Sequence, residues 1–352
     1  QAVGEIRRLP KALSRLPEIL VLRFGATIGF AAFLLWLPRW MDTTNTLRAS
    51  YLHLVIMVVV SLVVLTGWAG QLSLGQWAFV SIGAVVGAEL TQEWGVDLIL
   101  ATLGAGVAGV VASLAVGLPA LRLRGLYLAV TSLAFVVATT SYLLNPRFFD
   151  WLPSGRIERF PIAGRIDWTS SFAMYHVSLV AMALTFVAVA GIRSSRTGRV
   201  LIAMRENESA AEAYGVDATR AKLTAFSISG FIAAAAGALI VHHQQAFVVG
   251  GEAQASIGLF IAGVTGGLGS MLGASIGALN WWGGRWWLPD NFRLLSTGIG
   301  VLIVLLVLPG GIAGGLYQLR DAGLRRLAER RGIDAPGITP DRLEASEQGA
   351  SP

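Results

Sequence analysis

Cysteine is absent from this chain, and charged residues are scarce. With no cysteine among 352 residues, the chain can form neither a disulfide framework nor a thiolate metal site. Charged residues make up 14% of the sequence, against about 25% in a soluble globular domain. Because so few charges cannot cover a water-facing surface, much of the surface must face lipid. The sequence therefore predicts an integral membrane protein.

The charges that are present are clustered, and the stretches between them contain no Asp, Glu, Lys or Arg. A helix needs about 20 largely apolar residues to cross the hydrocarbon core, so each stretch is long enough for at least one crossing. Helices are favoured over a closed barrel because the stretches are not short alternating strands. The uncharged stretches are 24–38, 49–88, 98–121, 125–146, 168–192, 223–251, 253–284 and 294–319.

The distribution of arginine predicts about ten crossings. If residues 1–20 form a basic amphipathic segment on the cytoplasmic surface, the dense polar loop 193–222 also falls inside, as the positive-inside rule prefers. The stretch 253–284 is predicted to cross twice, because a single crossing would place the basic carboxyl-terminal segment outside. We therefore predict an all-α polytopic transmembrane bundle with broken glycine-rich helices over 21–319. A cytoplasmic basic tail and disordered linker would follow over 320–352.

The surplus of positive charge does not point to nucleic acid. The formal net charge is +6, but the arginines lie between apolar stretches, where a membrane protein keeps its cytoplasmic charge. The four histidines lack the spacing of metal ligands, and the sequence contains no Walker-type phosphate loop. We expect no nucleic-acid partner, no catalytic residue, no metal site and no cofactor bound by this chain.

Two glycine-rich segments, 67–73 and 263–269, share the pattern G-x-x-G-x-L-small. Both fall where an inward crossing meets the next outward one, and paired interruptions of this kind indicate a substrate path built from broken helices. Close helix packing through glycine is the competing interpretation, and the pattern leaves both open. Uncharged polar side chains in the first segment favour a path. The predicted path residues are Gly67, Gly70, Gln71, Ser73, Gln76, Tyr127, Thr131, Gly266, Gly267 and Gly269.

The loop 193–222 is predicted to contain a short amphipathic helix at about 209–214. Gly215 would end this helix in the left-handed conformation, and Asp217 would cap the membrane helix that follows. Small side chains at Ala210 and Ala211 would let another protein approach the helix closely. An ordinary solvated connection is the alternative, but the length and patterning of the loop favour a docking element.

The same loop resembles the cytoplasmic coupling loop of ABC importer permeases, whose signature is E-A-A followed by glycine. Ser209-Ala210-Ala211 and Gly215 match this signature, with Ser209 in place of the glutamate. Three further segments match the branched-chain amino acid permease family: LTGWAGQLSLGQWAFVSIGA, LRLRGLYLAVTSLAF and VTGGLGSMLGASIGA. The stretch from about 50 to 315 is therefore similar to that family, especially to the second of its two paired permeases. The ATPase-coupling residues that the resemblance implies are Gly198, Arg199, Arg205, Glu206, Asn207, Glu208, Ser209, Ala210, Ala211 and Gly215.

The resemblance implies a permease that forms a translocation path and leaves ATP hydrolysis to other domains. It implies a second homologous permease subunit, two ATP-binding subunits or domains that carry ATP and Mg²⁺, and an extracytoplasmic substrate-binding protein. The location implied is the cytoplasmic (inner) membrane of a prokaryote. Leucine, isoleucine and valine are the implied substrates, with urea or small amides as alternatives. A secondary transporter or channel is the rival class, although the uncharged stretches contain no carboxylate relay of the kind a proton-driven carrier uses.

Overall fold

The part of the chain that the structure describes is almost entirely helical. The predicted amino-terminal segment up to residue 16, most of the predicted crossing at 294–310, and residues 332–352 of the predicted linker lie outside it. Within it, no β-strand occurs, and Arg156 and Ala246 form an isolated β-bridge. The computed structural model describes residues 17–123, 125–145, 147–153, 155–162, 164–165, 167–247, 251–289, 301, 306–308 and 310–331.

The helices confirm the predicted all-α membrane bundle. Among the described residues, five spans are long and apolar enough to cross a membrane: α2, α4, α5, α6 and α9, with their π-helical extensions. These extensions carry α2 on to Trp68 and α5 on to Leu143. The helices are α1 (Pro17–Trp36), α2 (Thr43–Leu62), α3 (Gln76–Gln92), α4 (Leu98–Ala120), α5 (Leu126–Ala138), α6 (Ser171–Ser194), α7 (Arg196–Glu206), α8 (Glu208–Ala213), α9 (Ala218–Gln244), α10 (Glu252–Gly266), α11 (Met271–Ala278), α12 (Gly284–Trp287) and α13 (Gly311–Arg331).

Helices α2 and α9 form the centre of the bundle, and α3 packs against α9 at backbone distance. In the most apolar 18-residue stretch of each helix, the buried share is 94% in α2 and 78% in α9, against 28% in α4. A Cβ atom on Gly83 would lie 2.0 Å from the Ala234 carbonyl oxygen, and one on Gly237 would lie 2.0 Å from the Val80 carbonyl oxygen. Small residues bring these helices together because apolar burial alone drives little association in lipid.

The stretch 253–284 runs along the bundle and back, as predicted. Helix α10 ends at Gly266, the chain turns at Gly267 with a φ of 104°, and α11 with α12 returns. At the returning end, Trp287 Nε1 donates to Asn45 Oδ1 at 2.8 Å, beside the start of α2. Helix α13 crosses the predicted boundary at residue 320 and continues to Arg331, because it is rich in helix-favouring Leu, Ala and Arg. The total of ten crossings stays a prediction.

The two ends of the bundle are built differently. Helices α7 and α8 lie at one end, here called the loop end, and the segment 145–170 lies at the other, the far end. At the far end Arg159 donates to the carbonyl oxygens of His242 and His243, each at 2.8 Å, and lies over the Trp168 ring. Burial, and then the neighbouring Arg156, lower the pKa of the Arg159 guanidinium. Arg159 thus satisfies carbonyl groups at the end of α9, which gives a far-end arginine a structural role.

Candidate functional site

The first glycine-rich break separates α2 from α3, and side chains from other helices satisfy its backbone. Residues 71–75 have no regular structure. Ser132 of α5 accepts a hydrogen bond from the Leu74 amide at 2.8 Å, and Ser256 of α10 donates to the Leu74 carbonyl. Thr66 donates to the Gln71 carbonyl at 2.9 Å. An open backbone at membrane depth requires such partners because lipid offers none. The break is therefore a constructed feature of the bundle.

A buried glutamine joins three helices next to this break. Gln76 is fully buried; its Oε1 accepts from Ser61 of α2 and its Nε2 donates to Ser229 of α9, both at 3.1 Å. Ser229 also donates to the Ser61 carbonyl oxygen at 2.9 Å. Ser73 is buried as well and accepts from the Gly75 amide at 3.1 Å. These predicted path residues have partners in the described structure, and they fix the start of α3 against α2 and α9.

The second glycine-rich break, between α10 and α11, is closed by backbone packing. A Cβ atom on Gly266 would lie 1.9 Å from the Gly273 carbonyl oxygen. The two breaks also touch each other, since a Cβ atom on Gly67 would lie 2.0 Å from the Leu268 carbonyl oxygen. Gly269 is exposed at this turn. The structure thus brings together the two segments that the sequence pattern paired, and it uses Gly67 and Gly266 for close packing.

The loop between α6 and α9 contains two short helices in place of a single amphipathic element. Asn207 separates the two helices with an extended backbone, and its side chain accepts from the Ala210 amide at 3.0 Å. Asparagine at this position competes with the helix by capping the next one. Helix α8 coincides with the predicted helix at 209–214 to within one residue. Gly215 has a φ of 83°, and Asp217 caps α9, both as predicted.

The side chains of this loop divide into an inward and an outward set. Leu201, Met204 and Ala211 are buried against the rest of the chain. The prediction that Ala211 offers a small surface to another protein is therefore wrong, because Ala211 faces its own bundle. Ala210 faces outward, and Tyr214 is 91% exposed. Arg199, Glu206, Asn207, Ser209 and Gly215 are also exposed, Glu208 is half-buried and Gly198 is buried.

Two basic side chains attach the loop to the bundle. Arg205 of α7 donates to the Gly67 carbonyl, and its aliphatic stem lies against Gly70. Gly70 is held with a φ of 69°. Lys222 at the start of α9 pairs with Glu208 of α8 at 2.6 Å. Arg205 therefore connects the loop directly to the first break, and Lys222 fixes α8 beside it.

The exposed surface of α5 carries hydroxyl groups as well as aliphatic side chains, whereas that of α4 is aliphatic. The large exposed side chains of α4 are Ile, Leu and Val, as expected for a helix that faces lipid. On α5, Tyr127 is 77% exposed, and Thr131, Ser141 and Tyr142 are exposed along the same helix. The predicted path residues Tyr127 and Thr131 thus lie on the outer surface of this chain, away from Gln76.

Glu252 is a residue that the sequence analysis overlooked. In the sequence it separates the uncharged stretches 223–251 and 253–284, but the structure buries it in the first turn of α10 with 7% of its surface exposed. A lone acid between two long uncharged stretches was the signal that could have identified it. It borders a cavity of about 230 Å³ whose polar lining includes Tyr51, Ser81 and Gln244.

The histidines of the described part of the chain take part in helix packing. The described residues include no group of three or more His, Asp or Glu side chains able to hold a metal ion. Buried histidines have hydrogen-bond partners within the bundle: His53 pairs with Ser178 at 3.1 Å, and His242 pairs with Thr91 at 2.8 Å. These contacts are typical of helix packing.

Comparison with known proteins places these features in a family. A family model described as branched-chain amino acid transport system / permease component matches residues 46–282, which include both breaks and the loop. The high-affinity branched-chain amino acid transport system permease proteins LivM of Salmonella typhimurium (strain LT2) and Escherichia coli (strain K12) are each 28% identical over 317 residues, covering 81% of this chain and 74% of the relative. The autoinducer 2 import system permease protein LsrC of Enterobacter sp. (strain 638) is 32% identical over 178 residues, 47% of this chain and 51% of the relative.

No solved structure matches the chain. The family model alone spans more than half of the sequence and contains the broken helices, the buried glutamine and the loop described above. This chain belongs to the family of branched-chain amino acid transport system permease components.

Proposed function

We propose that this permease forms half of the translocation path of an ABC importer for branched-chain amino acids. The observation that carries the proposal is the attachment of the loop to the first break. Arg205 reaches from α7 to the Gly67 carbonyl, while Ala210 and Tyr214 of the same loop face outward. A force applied to α8 from outside would therefore be passed to the open backbone between α2 and α3.

The outward face of α8 is the proposed docking site for an ATP-binding subunit. Helix α8 is short, capped at both ends and tied to α9 by the Lys222–Glu208 pair, so it can act as a rigid element. Its exposed residues are small or polar apart from Tyr214, an aromatic side chain of the kind enriched at interface centres. ATP and Mg²⁺ would bind to the partner subunit, and hydrolysis would take place there.

The exposed face of α5 is the proposed boundary with a second, homologous permease subunit. Its hydroxyl groups at Tyr127, Thr131 and Ser141 would gain little in lipid, but they suit a path filled with water and a polar solute. The path would then run between the two permeases, with the first break near its inner end. An extracytoplasmic binding protein would deliver substrate at the far end, in the inner membrane of a prokaryote.

This arrangement predicts opposite sidedness for the two ends of the bundle. Cysteine introduced at Glu158, on the far end, should react with a membrane-impermeant maleimide added outside intact cells. Cysteine introduced at Ser209, in α8, should react only after the cytoplasmic side is opened. The chain contains no native cysteine, so the background is clean. Labelling of both positions from one side would contradict the proposed topology.

Replacement of Ala210 tests the docking face. Ala210→Glu places a charged, bulky side chain on the outward surface of α8, and burial of an unpaired charge costs several kcal/mol. Copurification of the ATP-binding subunit and leucine uptake should both fall at least about tenfold. Ala210→Ser is the matched control and should retain both. Normal copurification and uptake in Ala210→Glu would mean that the loop is only a solvated connection.

A further inference from the structure

We propose that a groove on the outer side of α9 binds one acyl chain of an anionic phospholipid, whose phosphate is held at the loop end by Arg122 and Arg196. This inference goes beyond the proposed function and does not depend on which solute the permease carries. The groove has a volume of about 440 Å³ and lies between α4 and α6, with α9 and Met57 of α2 as its floor. The lining residues that the argument uses are Leu184, Ala188 and Ile192 of α6 and Ser227, Phe231 and Ala235 of α9.

The groove exists because its two walls pack on different helices. Helix α4 lies along α9, whereas α6 packs mainly on α2 and makes few contacts with α9, so a cleft stays open between α4 and α6. In their most apolar stretches, only 28% of α4 and 39% of α6 are buried, so both walls face the lipid. Protein interiors leave few empty spaces of this size. A cleft at a lipid-facing surface is therefore filled by hydrocarbon.

The lining of the groove suits a hydrocarbon chain and not a polar solute. Its two hydroxyl groups already have partners: Thr185 donates to the Ala181 carbonyl and Ser227 to the Leu223 carbonyl, both at 2.9 Å. The other lining side chains are apolar, including Met57 of α2. Apolar cavities take up apolar molecules in preference to water. The groove thus offers no recognition for an amino acid zwitterion.

The length of the groove matches one leaflet of a bilayer. Helix α9 rises about 12 Å from Ser227 to Ala235, and α6 rises by the same amount from Leu184 to Ile192. The hydrocarbon of one leaflet is about 15 Å thick. Helix α6 runs towards the loop end and α9 runs away from it, so Ile192 and Ser227 both mark the loop end of the groove. A chain from the loop-end leaflet would therefore lie along both helices.

An exposed arginine stands at the loop end of each wall. Arg122 lies two residues beyond the end of α4. Arg196 is the first residue of α7, and Ser195 before it donates to the Ile192 carbonyl at 2.7 Å, which keeps Arg196 close to the end of the groove. Guanidinium groups match the geometry of phosphate oxygens. Basic side chains beside a cleft between membrane helices are typical of a site for an anionic lipid headgroup.

The charges at the start of the floor helix are balanced by neighbouring acids. Arg220 pairs with Asp217 at 3.0 Å, and Lys222 pairs with Glu208 at 2.6 Å. These pairs belong to the structure of the loop end and add little net charge to the groove. The phosphate is therefore assigned to the two arginines of the walls.

The first experiment uses the unaltered full-length chain, so it does not depend on whether a variant folds. The chain is placed in nanodiscs of phosphatidylcholine with a small amount of phosphatidylglycerol that carries a photoactivatable diazirine on its acyl chain. After irradiation, mass spectrometry should find the label on 184–192 and 227–235. Labelling there should be at least about fivefold above that by diazirine-bearing phosphatidylcholine, which has no net charge. Equal labelling by the two lipids, or labelling spread evenly over the outer faces of α4 and α6, would overturn the proposal.

A second experiment fills the groove without changing any charge. Ala188→Phe places a ring between α6 and α9, and it should lower phosphatidylglycerol labelling of 227–235 at least about fivefold, because the ring and an acyl chain need the same space. Ala183→Phe is the matched control at an exposed alanine of α6 outside the lining of the groove, and it should keep the parental labelling. Parental labelling in Ala188→Phe would show that the acyl chain does not lie in the groove.

A third experiment tests the headgroup site. Arg122→Gln and Arg196→Gln should each lower phosphatidylglycerol labelling about fivefold and leave phosphatidylcholine labelling unchanged. Arg199→Gln is the matched control. Arg199 is exposed at the same end, but it donates to the Ser194 carbonyl, about 200° around α6 from Ile192. An equal loss in Arg199→Gln would mean only a diffuse attraction of anionic lipid to the loop end, and would overturn the site.

Repeating the labelling in the complete importer distinguishes a lipid from a protein occupant. Persistence of the label on 184–192 and 227–235 supports the lipid site in the assembled transporter. Its loss on assembly would mean that a partner subunit covers the groove, which would overturn the assignment to lipid. Neither result depends on solute uptake, so the lipid site and the proposed function can fail separately.

Discussion

The two glycine-rich breaks look alike in sequence but are held in different ways. The first, between α2 and α3, depends on hydroxyl groups from other helices, such as Ser132 and Ser256, and on Arg205 of the loop. The second, between α10 and α11, is closed by backbone packed on backbone at Gly266 and Gly273. Side-chain hydrogen bonds can be exchanged when helices shift, whereas backbone packing leaves little room. The comparison indicates that the first break can rearrange and the second supports it.

The largest effect is expected where the two breaks meet. Gly67→Ala would place a Cβ atom 2.0 Å from the Leu268 carbonyl oxygen, so one break would have to move away from the other. We expect a loss of stability of about 3 kcal/mol, at the upper end of the usual cost of overpacking. Thermal unfolding in detergent measures it. In the control Gly191→Ala, the new methyl group meets nothing within 4 Å. Equal stability of the two variants would show that the breaks do not depend on close packing.

A smaller effect is expected from a single hydroxyl of the first break. Ser132→Ala removes the acceptor of the Leu74 amide and leaves that buried group unpaired, at a cost of about 1–3 kcal/mol. The chain should still assemble, with a lower unfolding temperature. Ser194→Ala is the matched control. Like Ser132, which donates to the Ala129 carbonyl, Ser194 donates to a carbonyl three residues earlier in its own helix, that of Gly191, but Ser194 is exposed. If both variants unfold at the parental temperature, side-chain hydroxyls do not hold the first break.

Much of this architecture could be predicted from the sequence because lipid imposes simple rules. The uncharged stretches predicted the membrane spans, and the arginines predicted the return of the chain at Gly267. The loop helix ending at Gly215, with Asp217 as the next cap, also followed from local patterns. Capping and hydropathy depend on neighbours in sequence, so one chain is enough to identify them.

Contacts between distant helices could not be predicted in this way. The approach of Gly67 to Leu268 and the reach of Arg205 to Gly67 depend on how helices pack, which hydropathy does not encode. The separation of α7 from α8 at Asn207 was not predicted either, because it depends on the Asn207 side chain capping α8. The burial of Glu252 was missed since a charged residue was counted as the end of a span. The coupling and path roles assigned to individual residues stay predictions.

We propose that the loop transmits work to the first break through Arg205. The most direct test is Arg205→Ala in the reconstituted importer, with leucine uptake and ATP hydrolysis measured together. The variant should still bind the ATP-binding subunit and hydrolyse ATP, but uptake per ATP should fall about tenfold or more, because a charge-assisted hydrogen bond to Gly67 is lost. Arg220→Ala, which removes an exposed arginine paired with Asp217 at the start of α9, should keep the parental ratio. A parental ratio of uptake to hydrolysis in Arg205→Ala would contradict the account.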